Sequence, residues 1–162
     1  KIMLKILTVD YQNAQQMTDL LMLLDLYAQD PMGGGEPLTA ECRIRLPLTL
    51  QQCPSAVSLI AYWNEQPAGL LNAFQTVSTF AARPLINIHD LAVASAFRGQ
   101  GIATALLKQI EQIAHERDCC KLTLEVLSGN HTAQQTYHRC GFAGYELDPT
   151  QGHALFWQKK LV

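Results

Sequence analysis

Two stretches of this 162-residue chain hold residue types whose spacing can do chemistry. The first is Ser95-Ala96-Phe97-Arg98-Gly99-Gln100-Gly101-Ile102-Ala103, which joins a strand pattern to a helix pattern. Gly99, Gly101 and Ala103 let the backbone approach a ligand closely. The first N–H groups of the helix that follows have no intrahelical acceptor and sit at its positive dipole end. A pyrophosphate or similar anion suits such a corner, and Arg98 adds a guanidinium capable of bidentate contact. Neither Gly-Lys-Ser/Thr nor the full G-x-G-x-x-G is present. Glycines at a strand–helix corner also serve plain tight packing, so these residues alone leave the choice open.

The second group comprises side chains able to move a proton. Glu125 interrupts the apolar run KLTLEVL at 121–127, where the two-residue strand period pairs it with Thr123 rather than with Leu122, Leu124 and Val126. His89, with an ordinary pKa near ~6.5, and the adjacent Asp90 lie in LINIHDLAVA at 85–94. Tyr137 shares a helix face with Ala133, Thr136 and Cys140 behind the helix-capping Asn130. Each has an ordinary alternative: Glu125 in an ion pair, His89 bonded within the sheet, Asp90 ordering a loop, Tyr137 packed as a core aromatic.

Alternating strand and helix patterns would position these groups. Residues 2–9 predict a strand, and 13–29 an amphipathic helix opened by an Asn13/Gln16 capping box. A turn-rich segment covers 31–37, and a second helix is expected from Thr39, broken at Pro47. Residues 56–63 and 68–76 predict a hairpin, 85–94 a long strand, 102–117 a helix, 121–127 a strand, and 153–161 a closing strand. Gly141 and Phe142 fit the end of a short helix after Asn130. With no linker or repeat, 1–162 is expected to be one α/β domain with a mixed sheet.

Taken in order, Arg98-x-x-Gly101-x-Ala103, the preceding Asp90-Leu91-Ala92-Val93, and the later Leu124-Glu125-Val126, Asn130, Ala133, Tyr137 and Gly141-Phe142 resemble the GNAT superfamily of acetyl-coenzyme A-dependent N-acetyltransferases. The resemblance covers 85–142 most specifically; Ala103 replaces a commoner glycine and His138 a commoner acidic residue. It implies a mostly antiparallel mixed sheet of about six to seven strands flanked by helices, with two parallel strands splayed at the cofactor cleft. It also implies that acetyl-coenzyme A, a cosubstrate, lies with its pyrophosphate at Arg98, Gly99, Gln100, Gly101, Ile102, Ala103 and Thr104. The pantetheine arm would follow the backbone of Leu91, Ala92 and Val93 and contact Asn130, with Tyr137 near the sulfur. Glu125 is similar to the acidic residue that activates the amine in ribosomal-protein N-terminal acetyltransferases, and His89-Asp90 to the Glu-Asp pair of spermidine acetyltransferases. A bulge is common in that cleft strand, so alternation does not decide whether His89 or Asp90 faces the cleft.

The expected reaction is direct attack of a primary amine on the thioester in a ternary complex. The acceptor, a small-molecule or peptide amine, would meet the loops at 30–38, 74–83 and 146–152. There Asp30, Glu36 and Asp148 could attract a cation, Arg83 a carboxylate, and Phe74, Phe80 and Tyr145 could form walls. A coenzyme A-binding sensor without turnover and a nucleotide-phosphate binder are the alternatives. The net charge of -2 gives no general attraction to nucleic acid or anionic lipid, and no apolar run approaches the ~20 residues of a membrane span. No secretory leader pattern opens the sequence. Five cysteines without a C-x-x-C pair read as reduced thiols, and His115, His131 and His153 lack metal spacing. The expectation is therefore a cytoplasmic enzyme without a metal, with a homodimer as a further expectation.

Overall fold

The computed structural model describes residues 3–162, so Ile2 of the first expected strand lies outside the described residues. The chain forms two compact units, one ending at Leu124 and one spanning Glu125–Val162.

In the first unit, β1 (Leu4–Thr8), β2 (Ala56–Trp63), β3 (Gln66–Ser78), β4 (Arg83–Val93) and β5 (Leu122–Leu124) form one sheet in chain order. The first three pairings are antiparallel and β4–β5 is parallel, as a mixed, mostly antiparallel sheet requires. Asn64 and Glu65, both at positive φ (47° and 66°), make the tight β2–β3 turn that the twist of a hairpin favours.

One face of the sheet carries α1 (Ala14–Gln29) and α2 (Ala40–Gln51), where Met17, Leu20, Leu23 and Leu50 pack on Val9, Ile60 and Leu70. The other takes α3 (Ile102–Glu116), which buries Ile102, Leu106, Leu107, Ile110, Ile113 and Ala114. Gly69 lies beneath α3: a Cβ there would stand 3.1 Å from both the Ala92 carbonyl oxygen and Ile102 Cγ2. Each fully buried Leu or Ile contributes about 1.5–3 kcal/mol of transfer free energy, and these two layers hold the sheet.

Several expectations are corrected. Asn13 caps α1 by accepting from the Gln16 N–H at 3.0 Å, but Gln16 Oε1 accepts from the Asp10 N–H at 2.7 Å, so the box closes on an earlier residue. α2 runs through Pro47 instead of breaking there. Proline removes one helical donor, yet Leu46 before it and buried Leu50 after it both pack on the core, and that burial holds the two halves in one helix.

The sheet has five strands, not six to seven, among the described residues. Pairing on β5 covers only 122–124 of the expected 121–127, and 153–161 joins no ladder. Leu155, Phe156 and Trp157 are 75–80% exposed. An apolar, β-favouring run supplies half of a strand, and the neighbouring backbone that would complete it is not paired to this one.

The second unit contains α4 (His131–Arg139), capped by Asn130, whose Oδ1 accepts from the Ala133 N–H at 3.2 Å. At its other end Gly141 (φ 88°) donates to the His138 carbonyl, and Phe142 donates to that of Tyr137.

Candidate active site

β4 and β5 stay paired only as far as Ile88 and Leu124. Beyond that point β4 continues for five residues, its other edge still laddered to β3 through Asp90, Leu91, Ala92 and Val93. The edge of β4 that faces away from β3 thus offers backbone donors and acceptors that no strand takes up among the described residues.

The departure coincides with a bulge. Asp90 pairs with Asn72 and Ile88 with Ala73, so His89 is the extra residue. His89 lies with its ring 4.7 Å from that of Phe74, and Asp90 Oδ2 accepts from Asn72 Nδ2 at 3.0 Å. Phe74 and Asn72 are two apart on β3 and therefore share a face. The bulge turns both His89 and Asp90 to the α1 side of the sheet.

His89 is exposed, whereas Asp90 is largely buried, and burial pushes its carboxyl pKa up against the opposing pull of Asn72 and His89. Across from it, Tyr27 of α1 also has a raised pKa, from burial first and then from the charges of Asp90 and Asp30. A carboxyl displaced toward neutrality is suited to accept a proton from an amine.

At the end of β4, one 3-10 turn at Ser95–Phe97 leads through Arg98 into Gly99 and Gly101, both left-handed at φ 78° and 79°. A non-glycine residue is strained at such angles. Nothing lies within 4 Å of where a Cβ would stand at either glycine. The first helical acceptor bond goes to the Ala105 N–H, so those of Ile102, Ala103 and Thr104 have no helical partner. Ile102 puts its side chain in the core and leaves only its backbone to the turn.

Arg98 donates from Nε to the Val93 carbonyl at 3.1 Å and from Nη2 to Asp30 at 3.0 Å. Its guanidinium ties the turn to the segment after α1, and the open backbone N–H groups are what face outward. The Met32 N–H and then Arg98 hold the Asp30 carboxyl below its ordinary pKa. Backbone N–H groups without a helical partner beside left-handed glycines make an open, donor-lined turn of the kind that suits an anion.

In the second unit, Tyr137 is half-buried, its ring edge-on to Phe142 at 5.9 Å, and Asn130 caps the helix that carries it. Glu125 is exposed, outside any strand. No cluster of three or more metal-binding side chains occurs among the described residues, and none of their helices is long and apolar enough to cross a membrane. Sequence reasoning passed over Asn72 and Ser58. Their signal was a polar residue inside an apolar strand, in LLNAF and AVSLI, at positions now 5% and 1% exposed.

Residues 20–142, from α1 to the end of the α4 segment, match the family model described as Acetyltransferase (GNAT) family. The chain belongs to that family. The GNAT match contains β4, the turn, α3 and α4, hence every candidate catalytic and cofactor-binding residue named above.

A streptothricin acetyltransferase of Streptomyces lavendulae is 39% identical over 80 residues, covering 49% of this chain and 42% of that protein. A thialysine N-epsilon-acetyltransferase of Caenorhabditis elegans is 27% identical over 133 residues, 82% of this chain and 79% of the relative. The chain spans less than half the length of the streptothricin relative. In structure it is similar to an aminoglycoside acetyltransferase from an uncultured soil metagenomic sample, solved in complex with sisomicin. The TM-score is 0.77 at 16% identity, covering 97% of each chain. That likeness confirms the GNAT fold.

Proposed function

We propose that residues 1–162 form one N-acetyltransferase domain that moves the acetyl group of acetyl-coenzyme A to a primary amine by direct attack. The observation that carries this reading is the edge of β4 beyond Ile88, which no strand pairs among the described residues, leading to the open turn at Gly99–Thr104. The cosubstrate supplies an acyl group on a thiol leaving group. Backbone N–H groups from Gly99 to Thr104 would hold its pyrophosphate, with Arg98 bracing the turn. The free edge of β4 at Leu91, Ala92 and Val93 would hold the pantetheine arm; a contact from Asn130 rests on the family resemblance alone.

A lysine-like amine, pKa ≈ 10.4, lies over three units from neutrality at pH 7, a deficit of about 4–5 kcal/mol. Asp90 is the group we assign to relieve it, for among His89, Asp90 and Glu125 it is the carboxyl whose pKa burial raises. Asn72 engages only its Oδ2, leaving Oδ1 to take the proton. Asp90 takes one proton from the ammonium before attack; the freed nitrogen then bonds to the acetyl carbon as the carbon–sulfur bond breaks, and the second nitrogen proton leaves with the departing sulfur as thiol. Tyr137, by family resemblance, donates a hydrogen bond to the departing sulfur.

The Phe74 and Tyr27 rings and the Asp90 carboxylate favour a cationic small-molecule amine; Asp30 is already paired with Arg98. Streptothricin, thialysine and aminoglycoside acetyltransferases among the similar proteins point the same way. The five free cysteines fit a reducing, cytoplasmic setting.

An amine-library screen with free-thiol detection tests the reading, followed by pH–rate profiles of Asp90→Asn, His89→Gln and Glu125→Gln. Asp90→Asn should lose about 10²–10⁴-fold in kcat, the range for a general base, and regain activity toward the amine's own pKa. No thiol release with any amine of the library, or release that does not depend on added amine, refutes the transfer. A pH-rescued loss in Glu125→Gln or His89→Gln instead moves the base to that residue.

A further inference from the structure

Ser58 and Asn72 sit in the middle of the sheet, flanked along their strands by the fully buried Leu59, Ile60, Leu70 and Leu71. A hydroxyl or amide in that setting costs free energy unless every polar atom is bonded. Here each is. Ser58 Oγ donates to Asn72 Oδ1 at 2.6 Å, and Asn72 Nδ2 donates to Asp90 Oδ2 at 3.0 Å. Tyr11 Oη lies 2.9 Å from Ser58 Oγ. Because Ser58 spends its one proton on Asn72, Tyr11 must be the donor in that contact. Ser58, Asn72 and Asp90 are register partners on β2, β3 and β4, so the chain of bonds crosses the sheet perpendicular to its strands.

The chain has a direction. Tyr11 donates to Ser58, Ser58 to Asn72, and Asn72 to Asp90. An amide does not relay a proton, so this is no conduit. What it fixes is orientation: with Oδ1 held by Ser58, the Asn72 amide can only present its NH₂ to Asp90. Turning that amide over would require Ser58 and Tyr11 to reverse as well.

We infer that Asn72, Ser58 and Tyr11 are positioning residues for the base, a one-way hydrogen-bond chain that keeps the buried Asp90 carboxylate an acceptor at Oδ2 and free at Oδ1. The inference rests on the proposed role of Asp90. The other ionisable groups that act on or feel Asp90 are His89 beside it on β4 and Tyr27 from α1; β3 presents only the neutral Asn72. Losing the donor from Asn72 therefore leaves burial opposed by His89 alone, and the carboxyl becomes harder to ionise.

Two readouts test this on the full chain: the acidic limb of the kcat/KM profile, and the titration of the ¹³C-labelled Asp90 carboxyl, assigned with Asp90→Asn. In Asn72→Leu both should move to higher pH, with roughly a tenfold loss of kcat/KM on the acidic limb, as expected for one hydrogen bond to a charged group. Ser58→Ala should move both less, and Tyr11→Phe least. These two smaller changes keep the test open if Asn72→Leu does not fold.

An unmoved carboxyl titration in folded variants overturns the inference. So does a moved titration with an unmoved limb, since the chain would then hold a carboxylate that is not the base. If the wild-type protein turns over no amine, the proposed function fails instead, and the carboxyl titration alone decides whether the chain holds Asp90 ionised.

Discussion

Every buried residue described in this protein lies before Leu124; from Glu125 onward not one is buried. In the first unit, Asp90 and the glycine turn stand where they do because strands and α3 are locked between two apolar layers. In the second, Tyr137 is placed by three local devices: the Asn130 cap, the Gly141 turn and the ring of Phe142. One set of candidate residues inherits its geometry from a core, and the other from bonds that close within a dozen residues. The two sets should fail differently when disturbed.

The sharpest contrast is in stability. Leu106→Ala removes a side chain with 0% exposure and should cost about 2–5 kcal/mol, read as a lower urea midpoint. Phe156→Ala, 80% exposed, should fall within about 0.5 kcal/mol of wild type. A large loss in Phe156→Ala would mean that the second unit has a core of its own or a partner covering it.

Glycines sharpen the same contrast within the first unit. Gly69→Ala places a methyl 3.1 Å from the Ala92 carbonyl and Ile102, an overpacking of about 1–3 kcal/mol that should leave acetyl-coenzyme A affinity, measured by calorimetry, close to normal. Gly101→Ala meets open space but a φ of 79°, which costs about 1–2 kcal/mol and spoils the donor cradle. Normal affinity in a folded Gly101→Ala would place the pyrophosphate elsewhere.

In the second unit the test is one of function. Tyr137→Phe keeps the ring contact with Phe142 and removes one hydroxyl, so kcat should drop about ten- to a hundredfold, ~1.4–2.7 kcal/mol, in a thiol-release assay. Asn130→Ala should cost α4 about 1 kcal/mol through the lost cap, read as a lower melting temperature, besides removing a proposed pantetheine contact.

How much of this could be read from the chain follows from the same division. Local rules place Asn13, Thr39 and Asn130 as caps, the Gly99–Gly101 turn, and the α3 stripe from Ile102 to Ala114, because each depends on neighbours in sequence. Pro47 defeats the local rule because Leu46 and Leu50 answer to a distant core. The end of β5 and the unladdered 153–161 depend on which backbone edges meet, which no periodicity encodes. At His89 and Asp90 alternation cannot show that both side chains turn to one face, because the bulge that puts them there is set by the register of β3 against β4. Ser58 and Asn72 were visible as polar residues in apolar strands, but that they form a chain ending on Asp90 is a fact of cross-strand register.

The smallest effect expected has the opposite sign to the rest. Burial lifts the folded-state pKa of Asp90 above its unfolded value, so folding favours the protonated carboxyl. That contribution is fully present below the unfolded pKa, near ~3.9, and is lost as pH rises through the folded value. Asn at this position is neutral at every pH, and its side-chain oxygen can still accept from Asn72. Asp90→Asn should therefore match wild type near pH 3 and melt higher than it near pH 8, with the gap opening between those limits. A residue that lowers stability at working pH yet lies in a well-packed sheet is the pattern expected where ionisation serves chemistry. Thermal melts at both pH values decide the matter. If Asp90→Asn is the less stable protein at pH 8, the ionised carboxylate is a structural asset, and its place at the bulge needs no catalytic explanation.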